Sequence, residues 1–127
     1  MTAEDDVERM VKNLDKFRGL CARLGPRATA ALELVAEFEE RLVLAPAFAS
    51  AKFEHARPGG LVEHSLLTLV NFRKLLELYH VDCPLESMIM ISLFHDIGKL
   101  GTVDLPLFLD ETDGWRRERY GPYKIND

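Results

Sequence analysis

Met88-Ile89-Met90-Ile91-Ser92-Leu93-Phe94 contains one polar residue, Ser92, and runs straight into His95-Asp96. A helix that is apolar on nearly every side has to be surrounded, because a folded chain hides such surface from water. Pro84 suits its first turn, so the sequence predicts a central, buried helix from Leu85 to about Ile97. Other helices must then supply its cover. Residues 3–24 place Val7, Met10, Val11, Leu14, Phe17, Leu20, Cys21 and Leu24 at the spacing of one helical face. Gly25-Pro26 ends that helix, and residues 27–43 repeat the pattern with Leu32, Val35, Phe38 and Leu42 inward. Residues 44–60 hold Pro46, Pro58, Gly59 and Gly60 and read as a connector with one short helical turn around 47–52.

Residues 61–80 predict a further helix. At about 100° per residue, Glu63, Arg73, Lys74 and Glu77 share a polar, outward sector. His64 falls elsewhere, in line with Leu61, Leu67, Thr68, Asn71 and Leu75, and is expected to face the core. Beyond residue 101 the pattern changes. Leu105-Pro106-Leu107-Phe108-Leu109 precedes the turn-forming Asp110-Glu111-Thr112-Asp113-Gly114, which predicts a small hairpin pairing residues near 107–110 with 115–120. Trp115 with Arg116, Arg117 and Arg119 then lies on a solvated hairpin edge. The expected fold is all-α in the main, one domain over 1–127 with about four principal helices: a helical pair over 1–45, a core over 46–100 and an extension over 101–127.

Composition narrows the function classes. With 16 Lys and Arg against 21 Asp and Glu the net charge is −5, and the longest basic run is Arg116-Arg117, so no broad nucleic-acid footprint is expected. No apolar run has the roughly 18–20 residues that a bilayer crossing needs, and Met1–Met10 is acidic rather than signal-like. Cys21 and Cys83 lack metal-knuckle or redox spacing and read as reduced packing residues, which together with the missing signal predicts a cytoplasmic protein.

The chemistry concentrates where the apolar helix ends. A carboxylate there is costly unless it is paired or binds a metal, and Asp96 has an imidazole, His95, as its neighbour. His64 brings a third ligand type if the two helices pack side by side. Nitrogen and oxygen donors of this kind suit a divalent Mn, Fe, Co, Ni, Zn or Mg ion, and such ions suit phosphate-ester hydrolysis.

His64, His95-Asp96 thirty-one positions later, the continuation Ile97-Gly98-Lys99 and the upstream Pro58-Gly59-Gly60-Leu61-Val62-Glu63-His64-Ser65 together resemble the HD superfamily of metal-dependent phosphohydrolases. The branch is the one that includes bacterial 3′–5′ exoribonuclease and relaxase-associated HD domains, and the resemblance covers about residues 50–101. It implies that His64, His95 and Asp96 hold the divalent metal, that Asp96 also orients the nucleophile, and that Lys99 offsets charge on the phosphoryl group. His55 and Arg57 become substrate contacts beside Lys99, and Gly98 the helix stop that turns Lys99 back. The implied substrate is a small nucleotide or a nucleic-acid end. HD proteins complete their site with an Asp on a later helix. Here only Asp104, Asp110, Asp113 and Asp127 follow, none in a helical setting, so the chain reads as an HD domain shortened before that ligand. A shortened fold leaves an apolar face open, which favours a homo-oligomer, and the alternative reading is a catalytically incompetent HD-like module that binds a nucleotide or partner.

Overall fold

The computed structural model describes residues 2–126. Among them are six α-helices and one two-stranded antiparallel sheet, so the fold is all-α with a small C-terminal sheet. Helix α1 (Ala3–Cys21) begins in a capping box between Thr2 and Asp5, with Glu4, Asp5 and Asp6 placed against the positive end of the helix dipole. Its inner face carries Leu14, Phe17 and Cys21 into the core, whereas Val7 and Val11 are exposed. Gly25, at φ 59, starts a single 3-10 turn.

The helix expected over 27–43 is two helices, α2 (Ala28–Glu37) and α3 (Glu39–Leu44), broken at Phe38 with φ −103 and ψ 14. No glycine or proline marks the break. Phe38 packs against the core there, and the Arg41 guanidinium sits 5.4 Å from its ring centre. Residues 45–59 form turns and bends without the expected helical turn. The connector is closed on itself instead: Ala47 N–H donates to His55 O, Gly59 N–H to Leu44 O and Leu61 N–H to Ala45 O.

Helix α4 (Gly60–Leu78) and helix α5 (Leu85–Phe94) pack on each other, and α1 lies against both. The core gathers Phe17, Leu24, Leu42, Leu61, Ile89 and Leu93, each 1 % exposed or less, and each worth about 1.5–3 kcal/mol of burial. Phe17 meets Phe94 edge to face at 5.9 Å, which fixes the C-terminal end of α5 against α1. Two expectations fail here. Helix α5 is not buried all round, because Leu85 and Ile91 are exposed. The His64 sector of α4 is inward only over its first turns: Leu61 is buried, but Leu67 and Leu75 are exposed, and the residues that pack on the core further along are Leu66 and Leu69.

Gly98 is not a helix stop. It lies within a 3-10 segment (Ile97–Leu100) at an ordinary helical φ, and the left-handed position is Gly101 at φ 79. A tight turn follows, held by Arg41, whose guanidinium donates to Leu100 O, Thr102 O and Val103 O. Strand β1 (Phe108–Asp110) pairs with β2 (Tyr123–Ile125) in the register Phe108↔Ile125, Leu109↔Lys124, Asp110↔Tyr123. The predicted partner, residues 115–120, is instead helix α6 (Gly114–Tyr120). Asp113 and Gly114 had the composition of a hairpin turn, but the Asp113 side chain accepts from Arg116 N–H and caps a helix.

Candidate metal centre

The centre sits where three segments meet: the first turns of α4, the end of α5 and the connector. Gly59 takes φ 80 before α4, and a Cβ on Gly60 would lie 1.9 Å from His55 O. These two glycines therefore let the connector press against the start of α4. They bring the His55 ring to 5.6 Å from that of His64, one turn into the helix. The side of Gly60 that a Cβ would take is filled by His55 O, which leaves no room for a ligand against the backbone there.

His95 caps α5. Its Nδ1 lies 2.8 Å from Ser92 O, and a carbonyl can only accept, so Nδ1 carries a proton and Nε2 is the nitrogen turned toward Asp96. Asp96, at φ −112 and ψ 12, turns the chain out of the α-helix. Its Oδ2 then lies 3.3 Å from His95 Nε2, 3.3 Å from His64 Nε2 and 3.4 Å from Lys99 Nζ. The rings of His64 and His95 are 5.4 Å apart. One ligand atom from each of His64, His95 and Asp96 lies within 4.8 Å of the others.

The donor set fits a cation. Ligand atoms about 2.1 Å from one ion, at tetrahedral or octahedral angles, lie roughly 3.0–3.4 Å from each other. The two imidazole–carboxylate separations fall in that range. The His95 Nδ1 bond to a backbone carbonyl is also the outer support that orients ligating histidines. Burial holds the pKa of His64 below its ordinary value; Asp96 pulls the other way, while His95, His55 and Lys99 add to the lowering. The result is a neutral imidazole, the form that ligates.

Lys99 is engaged on three sides. Nζ donates to Ala47 O at 2.7 Å, stands 4.1 Å from the Phe48 ring centre and faces Asp96. Of the predicted substrate contacts, His55 is 8 % exposed, with Nδ1 3.4 Å from Glu63 Oε1. Arg57 donates to the same Glu63 oxygen, and Arg9 Nε approaches the other at 3.6 Å. Glu63 is therefore not on a solvated sector as its helical angle suggested: two guanidiniums fold over it. The later aspartates stay away from the centre. Asp104 is exposed in the turn after Gly101, Asp110 ends β1 and Asp113 caps α6, while Asp127 lies outside the described residues. Trp115 is exposed on α6 rather than on a strand, 6.0 Å edge to face from Tyr120, and Arg117 donates to Pro122 O at 3.1 Å.

Sequence reasoning missed four residues: Arg9 and Glu63, and the aromatic pair Phe48 and Phe53, whose rings stack at 4.4 Å beside the centre. Nothing local to Arg9 signals that it folds over α4. Phe48 and Phe53, by contrast, are the two bulky apolar side chains in a connector otherwise rich in alanine, a signal that could have been read. No helix among the described residues is long and apolar enough to cross a membrane. Comparison with family models, with curated proteins and with solved structures gives no match.

Proposed function

We propose that this chain is a divalent-metal-dependent phosphohydrolase of the HD kind, acting on the phosphoester of a nucleotide or nucleic-acid end. The observation that carries the reading is the convergence of His64 Nε2, His95 Nε2 and Lys99 Nζ on one carboxylate oxygen, Asp96 Oδ2. A bound Mn, Fe, Co, Ni, Zn or Mg ion supplies Lewis acidity there and makes water a stronger acid. The residues do the rest. His95 is oriented by Ser92 O, and His64 is kept neutral by burial. Asp96 accepts from whatever enters the centre and orients the attacking water. Lys99, fixed on Ala47 O, holds a positive charge beside the phosphoryl oxygens. His55 stands beside His64, and both His55 and Arg57 are held by Glu63. Two free thiols, one of them fully buried, suit a cytoplasmic setting, and the exposed apolar half of α4 suits a homo-oligomer.

Metal analysis of the purified chain and of His95→Ala after supplementation with Mn or Fe tests the centre. The expected result is about one bound ion in the wild type and loss on substitution; wild-type protein without stoichiometric metal overturns the reading. The second reading, a binding module without turnover, is favoured by the absence of a fourth protein ligand among the described residues. Hydrolysis of nucleotide and phosphodiester substrates that His95→Ala abolishes removes it.

A further inference from the structure

The geometry points to the outward face of Phe53 as a stacking surface for the planar base of a mononucleotide whose phosphate sits in the His64/His95/Asp96/Lys99 centre. This rests on the phosphohydrolase reading and adds to it the part of the ligand that is not phosphate.

Phe53 is 50 % exposed, and its ring lies on that of Phe48 at 4.4 Å with 27° between the planes. Phe48 in turn meets the His64 ring edge to face at 5.7 Å and carries Lys99 Nζ at 4.1 Å from its centre. A ring has two faces, and a stack at 4.4 Å cannot share one with a cation at 4.1 Å. Both faces of Phe48 are therefore occupied, and the free aromatic face of the pair is the outer one of Phe53. The pair is thus a two-ring step that starts at a metal-ligating histidine and ends in solvent.

Its surroundings keep the step open and still. Ala49, Ser50 and Ala51 before it are too small to cover it, and the flanking Lys52 and Glu54 are themselves exposed. Hydrogen bonds from Phe53 N–H to Ser50 O, from Ala56 N–H to Phe53 O and from Ala51 N–H to Tyr120 O hold the segment in place. A lone exposed phenylalanine is ordinary surface. This one extends the site's own wall, as the second ring out from His64. A ligand that joins a phosphate to a flat aromatic group satisfies both ends, and a nucleotide is that ligand. A polymer fits less well. The net charge is −5, and Arg9 and Arg57, which could have tracked a phosphate backbone, are turned onto Glu63.

The test titrates adenosine 5′-monophosphate, ribose 5-phosphate and a short single-stranded oligonucleotide into the Mn-loaded chain and into Phe53→Ala and Phe53→Trp, with metal content measured first. Stacking of one base is worth about 5- to 150-fold in affinity. The wild type is expected to bind adenosine 5′-monophosphate at least about tenfold more tightly than ribose 5-phosphate. Phe53→Ala should bring the two within about threefold while leaving ribose 5-phosphate unchanged, and Phe53→Trp should keep the preference. Equal affinities in the wild type, a preference that survives Phe53→Ala, or no binding of the nucleotide overturns the inference. Tighter binding of the oligonucleotide than of the mononucleotide overturns the choice of ligand. Protein that holds metal but shows no base preference refutes this surface alone, whereas protein that holds no metal yet keeps a Phe53-dependent preference refutes the metal centre alone.

Discussion

Replacing Gly60 with alanine puts one methyl group where the chain already has an oxygen. The new Cβ would lie 1.9 Å from His55 O, 2.8 Å from His55 C and 3.2 Å from His55 Cα, whereas ordinary contact starts at 3.4 Å. The nearest partner is backbone, not the end of a flexible side chain, so the connector and the first turn of α4 must separate by about 1.5 Å, the difference between 3.4 and 1.9 Å. That movement strains two hydrogen bonds of the connector, Ala47 N–H to His55 O at 3.0 Å and Gly60 N–H to Arg57 O at 2.9 Å. Overpacking costs about 1–3 kcal/mol and a lost backbone hydrogen bond about 1 kcal/mol, so Gly60→Ala should destabilise by about 2–4 kcal/mol. For a chain of this size that is a fall in Tm of roughly 8–16 °C, read by circular dichroism. Gly98→Ala is the control. A Cβ there meets nothing within 4 Å and the backbone is helical, so the substitution should be neutral or stabilise by up to about 1 kcal/mol. A Gly60→Ala protein melting within about 2 °C of wild type, or a Gly98→Ala protein as damaged as Gly60→Ala, refutes the reasoning.

Cys21 is fully buried and its thiol is pushed up to about 11 by burial, whereas Cys83 is partly exposed; at pH 8 an aromatic disulfide reagent should label one thiol in the folded chain and the second only on unfolding. Rapid labelling of two thiols in the native protein would contradict the packing of α1. His64 should make the metal-stripped protein acid-sensitive: with its folded pKa below 6.5, the unfolded chain takes up a proton that the folded one refuses, so stability is level above pH 6.5 and declines as the pH falls below it. Urea midpoints between pH 7.5 and 5.5 should therefore fall more steeply for wild type than for His64→Gln, and parallel curves would remove His64 as the cause.

How much of this was legible follows the range of the interactions. Helices α1, α4 and α5 are written in local periodicity, and the meeting of His64 with His95-Asp96 follows once α4 and α5 pack side by side. The break at Phe38 is not written locally, because it reflects a side chain packing on the core rather than a residue that cannot be helical. Asp113-Gly114 suits a hairpin turn and a helix start equally. Nor does local sequence show that the end of α6 packs on the connector, where a Cβ on Gly121 would lie 2.5 Å from Ala49 O. Glu63 was assigned to solvent because a helical wheel sees only its own helix, and the cations that cover it come from α1 and the connector.

These contacts shift the weight of the centre from the His-Asp dipeptide to residues 45–59. The connector supplies His55, the Ala47 carbonyl that fixes Lys99, and the Phe48–Phe53 step, yet it has no helix or strand of its own. Its shape comes from being held at two points where only glycine fits: Gly60 under His55 O and Gly121 under Ala49 O and Ala51 N. The second is reinforced by Ala51 N–H donating to Tyr120 O. The end of helix α6 and Gly121 therefore form part of the support behind residues 49–51, next to Phe53. The connector that fixes Lys99 thus leans on the C-terminal segment as well as on the start of α4.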